Sequence, residues 1–461
     1  MNARTGLIPV LLLLILSGCT IPNRSPDPVQ NPNNGFTSTP SPTSPATEPA
    51  DSTAPKSSPT ASPVTTAAPD PTTSPSPTPF VCQESRSSVL LLIEGRYISA
   101  LEDHLQQYEQ DLCQDHYRLI LKENEFHSPG DLRTYLAELY FNQPELKLAG
   151  VILAGDIPYA HQQITVDYAN PDTPTAVREF ASMQYYADLD GEFLLSDEYQ
   201  PLHGTAPLGE PIFDVHRGQT DWEIWISVLP AYLGDPGETT AALQRYFEKN
   251  HAYRAEEINL PRTYLMIMAY DAPGEEQYNQ VMKSCCQGTD NWTTLDREGG
   301  LRQIYMDNPV NKRSEDAGYQ ALSEGKADFT LIFDHGNVSS LGQINPPWLD
   351  EHNLSTIFLY NHSCSVGDLK NPYVILNQIL YHPRSQVLFS IGNTTEGGDL
   401  CTNEEGTPSS NIPASLMSGL SIGEAILKHI NTPLIEPWSD NPESCFAMKI
   451  LYGDPTLTLK K

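Results

Sequence analysis

Short apolar runs alternate with helical stripes between residues 88 and 155. The runs Val89–Ile93 and Ala149–Ala154 are continuously apolar, which is typical of strands buried on both faces of a parallel sheet. Tyr117–Leu121 is a third strand-like run. Apolar residues spaced three and four apart predict two helices between these runs, with stripes Ile98, Leu101, Leu105, Tyr108, Leu112 and Leu132, Leu136, Leu139. This β-α-β-α-β order predicts an α/β fold with a parallel sheet.

The alternation continues to the C-terminus, after polar residues 156–220 that we expect to form loops over the strand ends. Further strands are predicted at Ile224–Leu229, Tyr264–Ala269, Gln303–Met306, Phe329–Phe333, Thr356–Tyr360, Val387–Ile391 and near Thr456. Further helices are predicted at Glu238–Asn250, Glu275–Met282, Glu315–Ser323, Val374–Leu380 and Ala414–His429. We expect two adjacent α/β subdomains, 81–258 and 259–461, with two sheets or one long one.

Residues 20–80 differ in composition from the rest of the chain. They contain 16 prolines and 22 serines or threonines in 61 positions, with no aromatic residue between Phe36 and Phe80. Such a segment buries too little apolar surface to offset the entropy that ordering it would cost. We therefore predict a disordered, partly extended linker ahead of the folded part.

The charge of the chain limits its partners. Lys and Arg number 27 against 58 Asp and Glu, a formal net charge of −31. An acidic surface repels phosphate, and no basic stretch reverses this locally. The sequence therefore argues against nucleic acid as a partner.

The first 19 residues predict export. Arg4 precedes the apolar run Leu7–Leu16, which is too short for a membrane span of about 20 residues but suits a signal peptide. The run ends in Leu16-Ser17-Gly18-Cys19, which resembles the lipoprotein box of bacteria. The resemblance implies a lipid on Cys19, an anchor in the membrane and an extracytoplasmic location in the bacterial cell envelope. The alternative is an ordinary cleaved signal peptide with a coincidental cysteine.

Seven cysteines follow, namely Cys82, Cys113, Cys285, Cys286, Cys364, Cys401 and Cys445. An odd number outside the cytoplasm predicts disulfides and one free thiol, and we expect that thiol to be Cys364. We expect Cys82 to pair with Cys113 and Cys401 with Cys445. Neighbouring Cys285 and Cys286 meet disulfide geometry only with strain, so we do not expect them to pair with each other.

Two consecutive apolar strands end in residues that suit nucleophilic catalysis. Thr330–Phe333 leads into Asp334-His335-Gly336, and Ile357–Tyr360 leads into Asn361-His362-Ser363-Cys364. If these strands are parallel neighbours, His335 and Cys364 emerge at the same sheet edge. An imidazole beside a thiol raises the thiolate fraction, as acyl transfer needs. The main-chain N–H groups of Gly336 and Cys364 are candidates for an oxyanion hole.

The order of these motifs resembles the clan CD cysteine peptidases, which include caspases, legumains, separases and gingipains. The chain is most similar to the gingipain-like family, from about residue 88 to the C-terminus. Four further segments carry the resemblance: Val151–Pro158 (VILAGDIP), Tyr185–Gly191 (YYADLDG), Ile422–Ala425 (IGEA) and Tyr452–Leu457 (YGDPTL). It implies a caspase-like parallel-sheet sandwich and an endopeptidase acting on proteins or peptides. Cys364 then matches the nucleophile, His335 the general base and Asp271 the acid that orients the histidine.

The resemblance also bears on specificity and on metals. Glu275 or Glu276 matches the S1 acid of the arginine-specific members, which implies a basic P1 residue. No tryptophan follows the next strand, where some members place one over the pocket and this chain has Thr394–Gly398.

The family uses calcium, and Asp188, Asp190 and Glu192, with Asp197 nearby, offer carboxylate oxygens for it. A solvated acidic loop is the equal alternative. We expect no other cofactor.

Two rival functions remain open at this point. His335, His362 and Cys364 are candidates for a transition-metal site, because His362 shares a strand face with Cys364. The chain is also a candidate for a non-catalytic surface lipoprotein that uses a peptidase-like fold for binding.

Overall fold

A ten-stranded β-sheet runs through the protein. The structure is a computed structural model that describes residues 82, 86–166, 176–197, 199, 212–218, 221–268, 302–306, 315–395, 412, 415–416, 418–431 and 447–460. The strands are β1 (Ser87–Ile93), β2 (Tyr117–Glu123), β3 (Leu148–Gly155), β4 (Ala160–Val166), β5 (Ala176–Ser182), β6 (Glu192–Leu194), β7 (Ile212–Phe213), β8 (Val215–Arg217), β9 (Trp225–Pro230), β10 (Tyr264–Met268), β11 (Arg302–Met306), β12 (Phe329–Phe333), β13 (Gly336–Asn337), β14 (Ser340–Leu341), β15 (Phe358–His362), β16 (Phe389–Asn393) and β17 (Lys449–Gly453).

The strand order of the large sheet is β11-β10-β12-β15-β16-β17-β9-β3-β1-β2. Neighbouring strands are parallel except β16 and β17, which are antiparallel. The predicted α/β fold with a mostly parallel sheet is therefore confirmed. Strands from both predicted subdomains belong to one sheet, joined where Tyr452 of β17 pairs with Val228 of β9. The boundary near residue 258 stays a prediction.

The longer described helices overlap predicted ones, whereas the short helices Gln184–Ala187 and Pro346–Glu351 were not predicted. The described helices are α1 (Gly95–Ile98), α2 (Glu102–Gln114), α3 (Pro129–Asn142), α4 (Gln184–Ala187), α5 (Pro236–Arg254), α6 (Glu315–Ser323), α7 (Pro346–Glu351), α8 (Ile375–Tyr381) and α9 (Ile422–Ile430), with 3-10 turns at Ser99–Leu101 and Pro144–Leu146. Ser128 caps α3 by accepting the Asp131 N–H, with proline next in the chain. Ser421 and Glu424 form a capping box at the start of α9. The predicted continuous helix Ala414–His429 is wrong, because residues 418–419 form a turn and α9 begins only after Ser421. The predicted helix at 275–282 lies outside the described residues.

The core follows from the apolar runs. Val89 to Ile93 of β1 are completely buried, because the sheet continues on both sides of β1 and helices such as α2 and α5 pack beside it. Burial of this kind is the main favourable term in folding. None of the helices in the described part of the chain is both long and apolar enough to cross a membrane.

The structure corrects two predictions about the fold and confirms a third. Residues 156–220 are not all loops, because β4, β5 and β7 form a three-stranded sheet and β6 pairs with β8. The closing strand ends at Gly453, so Thr456 lies beyond it and instead bonds to Asp454. The predicted Cys82–Cys113 disulfide is confirmed, with Cα atoms 5.6 Å apart.

Candidate active site

The strands that carry His335 and Cys364 are parallel neighbours in the sheet. β12 pairs with β15 so that Phe333 lies opposite His362. One residue further on, the Ser363 hydroxyl donates a hydrogen bond to the Asp334 main-chain oxygen over 2.8 Å. His335 and Cys364 follow directly at the carboxyl edge of the sheet, where parallel α/β sheets bind their ligands. The predicted meeting of these two residues at one sheet edge is therefore confirmed.

Gly336 lies against the loop that carries the thiol. A Cβ atom at this position would come within 2.7 Å of Ser363 Cβ, 2.6 Å of Val366 Cγ1 and 3.3 Å of the Cys364 oxygen. Real Cβ contacts are not that short, so only glycine allows the two main chains to approach this closely. The residues proposed for an oxyanion hole are thus close together, and their role stays a prediction.

The main chain of His335 is held on both sides by residues that the sequence did not single out. The Asp334 carboxylate accepts the His335 N–H over 2.6 Å and the Tyr319 hydroxyl over 2.6 Å. The His335 oxygen accepts the N–H of Gly342 over 2.8 Å. Gly342 has a φ of +51°, which favours glycine, and a side chain there would overlap Asp334 and Tyr319. The His335 side chain is exposed, so its ring is accessible to a substrate.

The loop after Cys364 is bound to the end of the next strand. Ser365 has a φ of +53°, which is uncommon for a residue other than glycine. Its N–H donates to the Thr395 oxygen over 2.9 Å, and the N–H of Gly367 donates to the Asn393 oxygen over 2.8 Å. Left-handed non-glycine residues occur often at functional sites, where the surrounding bonds maintain them.

Cys364 is disulfide-bonded, and 9 % of its surface is exposed. Cys82 and Cys113 pair with each other, so the partner of Cys364 lies outside the described residues. The prediction that Cys364 is the free thiol is wrong. That prediction chose the unpaired cysteine from its expected catalytic role. Which cysteines pair is decided instead by which Cβ atoms the fold brings close together. Thiolate chemistry at Cys364 requires reduction of this bond.

His362 lies inside the protein rather than at the site. It is 1 % exposed, and burial lowers its pKa well below the ordinary value, as do the nearby Lys449 and His429. Burial lowers the pKa of His429 to about 4. Lys449 donates to Asn393, whose amide donates to the Ser363 oxygen. These hydrogen bonds connect β17 and β16 to the residue that follows β15.

The predicted transition-metal site does not form. All three of its residues, His335, His362 and Cys364, are described, but their ligand atoms do not gather within 4.8 Å of one another. The physical reason is that His362 points into the core whereas His335 is exposed.

The predicted calcium ligands gather in part. Within the described residues, Asp188 and Asp190 form a compact carboxylate group with Glu223, whereas exposed Glu192 is not a member. Glu192 lies in the short strand β6, and its role as a calcium ligand stays a prediction. Asp197 is outside the group as well. Sequence reasoning missed Glu223, which lies 33 positions after Asp190 and carries no local signal.

The chemistry of this group fits calcium only in part. The pKa of Glu223 is raised to about 7, chiefly by burial and also by the charges of Asp190 and Asp188, while the Leu189 N–H lowers it. Asp188 already accepts the Gly191 N–H over 2.6 Å and lies 2.6 Å from His216 Nε2. Calcium takes six to eight oxygen ligands, so the three carboxylates supply only part of a coordination shell.

The remaining predicted site residues lie outside the described part of the chain. They are Asp271, Glu275, Glu276 and the lipidation candidate Cys19. Their roles stay predictions.

Comparison with known proteins identifies the fold. No family model matches the chain, and no curated protein matches it either. A solved structure of the Arg-specific cysteine proteinase gingipain R superimposes with a TM-score of 0.55 at 13 % identity, over 81 % of this chain and 78 % of that one. A second structure, described as that of a protease, has a TM-score of 0.52 at 12 % identity with the same coverage. The protein has a gingipain-like fold. At this identity the likeness shows the fold alone, and within that fold the carboxyl ends of β12 and β15 are the candidate active site.

Proposed function

We propose that this protein is a cysteine endopeptidase in which Cys364 is the nucleophile and His335 the general base. The observation that carries the proposal is the approach of His335-Gly336 to Ser363-Cys364 at one sheet edge of a gingipain-like fold. A thiol and an imidazole at adjacent strand ends supply the nucleophile and the proton carrier that acyl transfer needs.

The reaction begins once Cys364 is reduced. The imidazole of His335 takes the thiol proton, and the thiolate sulfur forms a bond to the peptide carbonyl carbon. The N–H groups of Gly336 and Cys364 stabilise the oxyanion. The C–N bond then breaks as His335 gives its proton to the leaving amine. Water, deprotonated by the same imidazole, hydrolyses the thioester and restores the thiol.

Two finer parts of the proposal rest on the resemblance to the gingipain-like family. Asp271 orients the imidazole, and Glu275 or Glu276 favours a P1 arginine or lysine, since a carboxylate binds the guanidinium fork through two hydrogen bonds. Cleavage of substrates with P1 Arg, Lys, Asn, Asp or Leu by the reduced protein tests this. A preference for Leu or Asp that Glu275→Gln and Glu276→Gln leave unchanged would contradict the basic P1 preference.

The central experiment compares peptide-library cleavage by the reduced wild type, Cys364→Ala and His335→Ala. We expect both variants to lose detectable turnover, because the two side chains act as one proton-transfer unit. His127→Ala, at an exposed histidine ahead of α3, is the matched control and should retain full activity. Substantial turnover by Cys364→Ala would remove the dyad from consideration.

A non-catalytic binding role is the second candidate, and the disulfide at Cys364 is the observation that favours it. A permanently oxidised Cys364 has no thiolate to attack a carbonyl. The two candidates differ in one measurement, which is peptide cleavage before and after reduction. Cleavage that appears only after reduction supports the peptidase, and no cleavage in either state supports the binding role.

We also propose that a lipid on Cys19 holds the protein at the membrane of the bacterial cell envelope. The apolar run Leu7–Leu16 and the Leu16–Cys19 motif support this. Metabolic labelling with a fatty acid tests it. The wild type should incorporate label and Cys19→Ala should not, and equal labelling of both would contradict lipidation at Cys19.

A further inference from the structure

A groove of about 690 Å³ lies along β2, at the opposite end of the described sheet from β11. Its floor is apolar and includes Leu105, Leu119 and Leu121, and its rim carries Glu102, Glu109 and Glu123. Leu121 is 43 % exposed, so its side chain offers apolar surface to the groove. None of these residues belongs to the candidate active site, which is six strands away, or about 29 Å at about 4.8 Å per strand.

β2 is the last strand of the described sheet on this side. Side chains of a strand alternate between its two faces. Lys122 lies over the rings of Phe126 and Tyr135 on one face, and Leu121 and Glu123 lie in the groove on the other. A last strand presents main-chain N–H and C=O groups along its outer edge, which makes it a template for another extended segment.

The charge of the groove selects its partner. None of its three glutamates forms an ion pair with any residue that the structure describes. Three nearby basic groups have other partners: Arg96 pairs with Glu94, His104 with Glu248 and Lys122 with Glu125. Arg118 of β2 lies on the same face as Lys122, opposite the groove. A second copy of this chain would bring the same carboxylates together, and anionic lipid or nucleic acid would be repelled by the net charge of −31.

We propose that the groove binds an extended polypeptide segment of a partner protein in which basic and apolar residues alternate. The segment adds to β2 as a further strand, through main-chain hydrogen bonds. Its lysines or arginines point into the groove, where their charged ends contact Glu102 and Glu109 and their aliphatic stems lie against Leu119 and Leu121, and its apolar side chains point to the opposite face of the sheet. This inference does not depend on the proposed peptidase activity.

The experiment measures binding of a fluorescein-labelled peptide with alternating lysine and valine, Lys-Val-Lys-Val-Lys-Val-Lys. The protein is the full chain under non-reducing conditions, in which Cys364 is disulfide-bonded, so that cleavage does not consume the probe. The comparison peptides replace lysine by glutamate, replace valine by serine, or carry N-methyl groups on alternate main-chain nitrogens. We expect saturable binding of the first peptide alone.

The Glu102→Gln/Glu109→Gln protein should bind the peptide about three- to tenfold more weakly, since two partly exposed ion pairs are lost. The matched control is Glu138→Gln/Glu145→Gln, which removes the same charge away from the groove, at two exposed positions, and should bind as the wild type does. Leu121→Asn should also weaken binding. Thermal melting of each protein shows whether the fold is retained.

Three results would overturn the inference. If both double variants bound the peptide equally weakly, binding would depend on the overall charge of the protein and not on the groove. If the glutamate peptide bound as tightly as the lysine peptide, the groove would not select its partner by charge. Equal binding of the N-methylated peptide would exclude addition to the edge of β2.

Discussion

The Ser363 hydroxyl donates to the Asp334 main-chain oxygen over 2.8 Å, one residue before the two candidate catalytic side chains. Ser363 is 1 % exposed, so water does not compete for this bond. It ties the end of β15 to the end of β12 and fixes the approach of His335 to Cys364. Positioning of reacting groups contributes strongly to catalysis, and small displacements are costly.

The first prediction concerns this bond. Ser363→Ala leaves the buried Asp334 oxygen without this donor, which costs about 1–3 kcal/mol of folding free energy. We also expect the cleavage rate of the reduced enzyme to fall. Chemical denaturation and kcat/KM measure the two effects, with Ser99→Ala at an exposed position far from the site as the control. Unchanged stability and unchanged activity together would show that the bond positions nothing.

The second prediction concerns the redox state of Cys364. Iodoacetamide should label Cys364 only after treatment with a thiol reductant, because its sulfur is bonded in the structure. Peptide cleavage should appear over the same range of reductant concentration. Mass spectrometry of tryptic fragments reports the labelling. Labelling of Cys364 in the untreated protein at the rate of the reduced protein would contradict the disulfide.

The strands and helices that could be predicted are those whose apolar residues follow a regular pattern in the sequence. β12 and β15 are mostly apolar runs that lead into polar residues, so the position of His335 beside Cys364 followed from strand order alone. β4 was missed because His161, Gln162 and Gln163 are polar and yet less than 10 % exposed, which hides the strand from any hydrophobic pattern. Glu223 was missed because only the fold brings it to Asp190.

The third prediction is a pH dependence of stability. Burial raises the pKa of Glu223 to about 7 from an ordinary value of 4.5, so the folded state favours the protonated carboxyl. The cost of ionising it is absent below about pH 4.5 and grows as the pH rises towards 7. Glu223→Gln should therefore stabilise the protein at pH 8, by about 1 kcal/mol after allowance for solvent screening. The gain should vanish at pH 4.

Thermal unfolding of the wild type and Glu223→Gln across this pH range measures the effect. Glu192→Gln is the control, because Glu192 is exposed and lies outside the carboxylate group. A variant that is less stable than the wild type at pH 8 would mean that the hydrogen bond from Leu189 to Glu223 outweighs the cost of charge.

The last prediction is that calcium binds at Asp188, Asp190 and Glu223, which we propose in place of the set that included Glu192. A divalent cation between the carboxylates would offset the repulsion that helps to raise the pKa of Glu223. Calcium should therefore raise the melting temperature at pH 8 and have less effect at pH 5, where protons compete with it. Asp190→Asn and Glu223→Gln should each abolish the increase, and Glu192→Gln should retain it. An increase of the same size in all four proteins would place any bound calcium elsewhere.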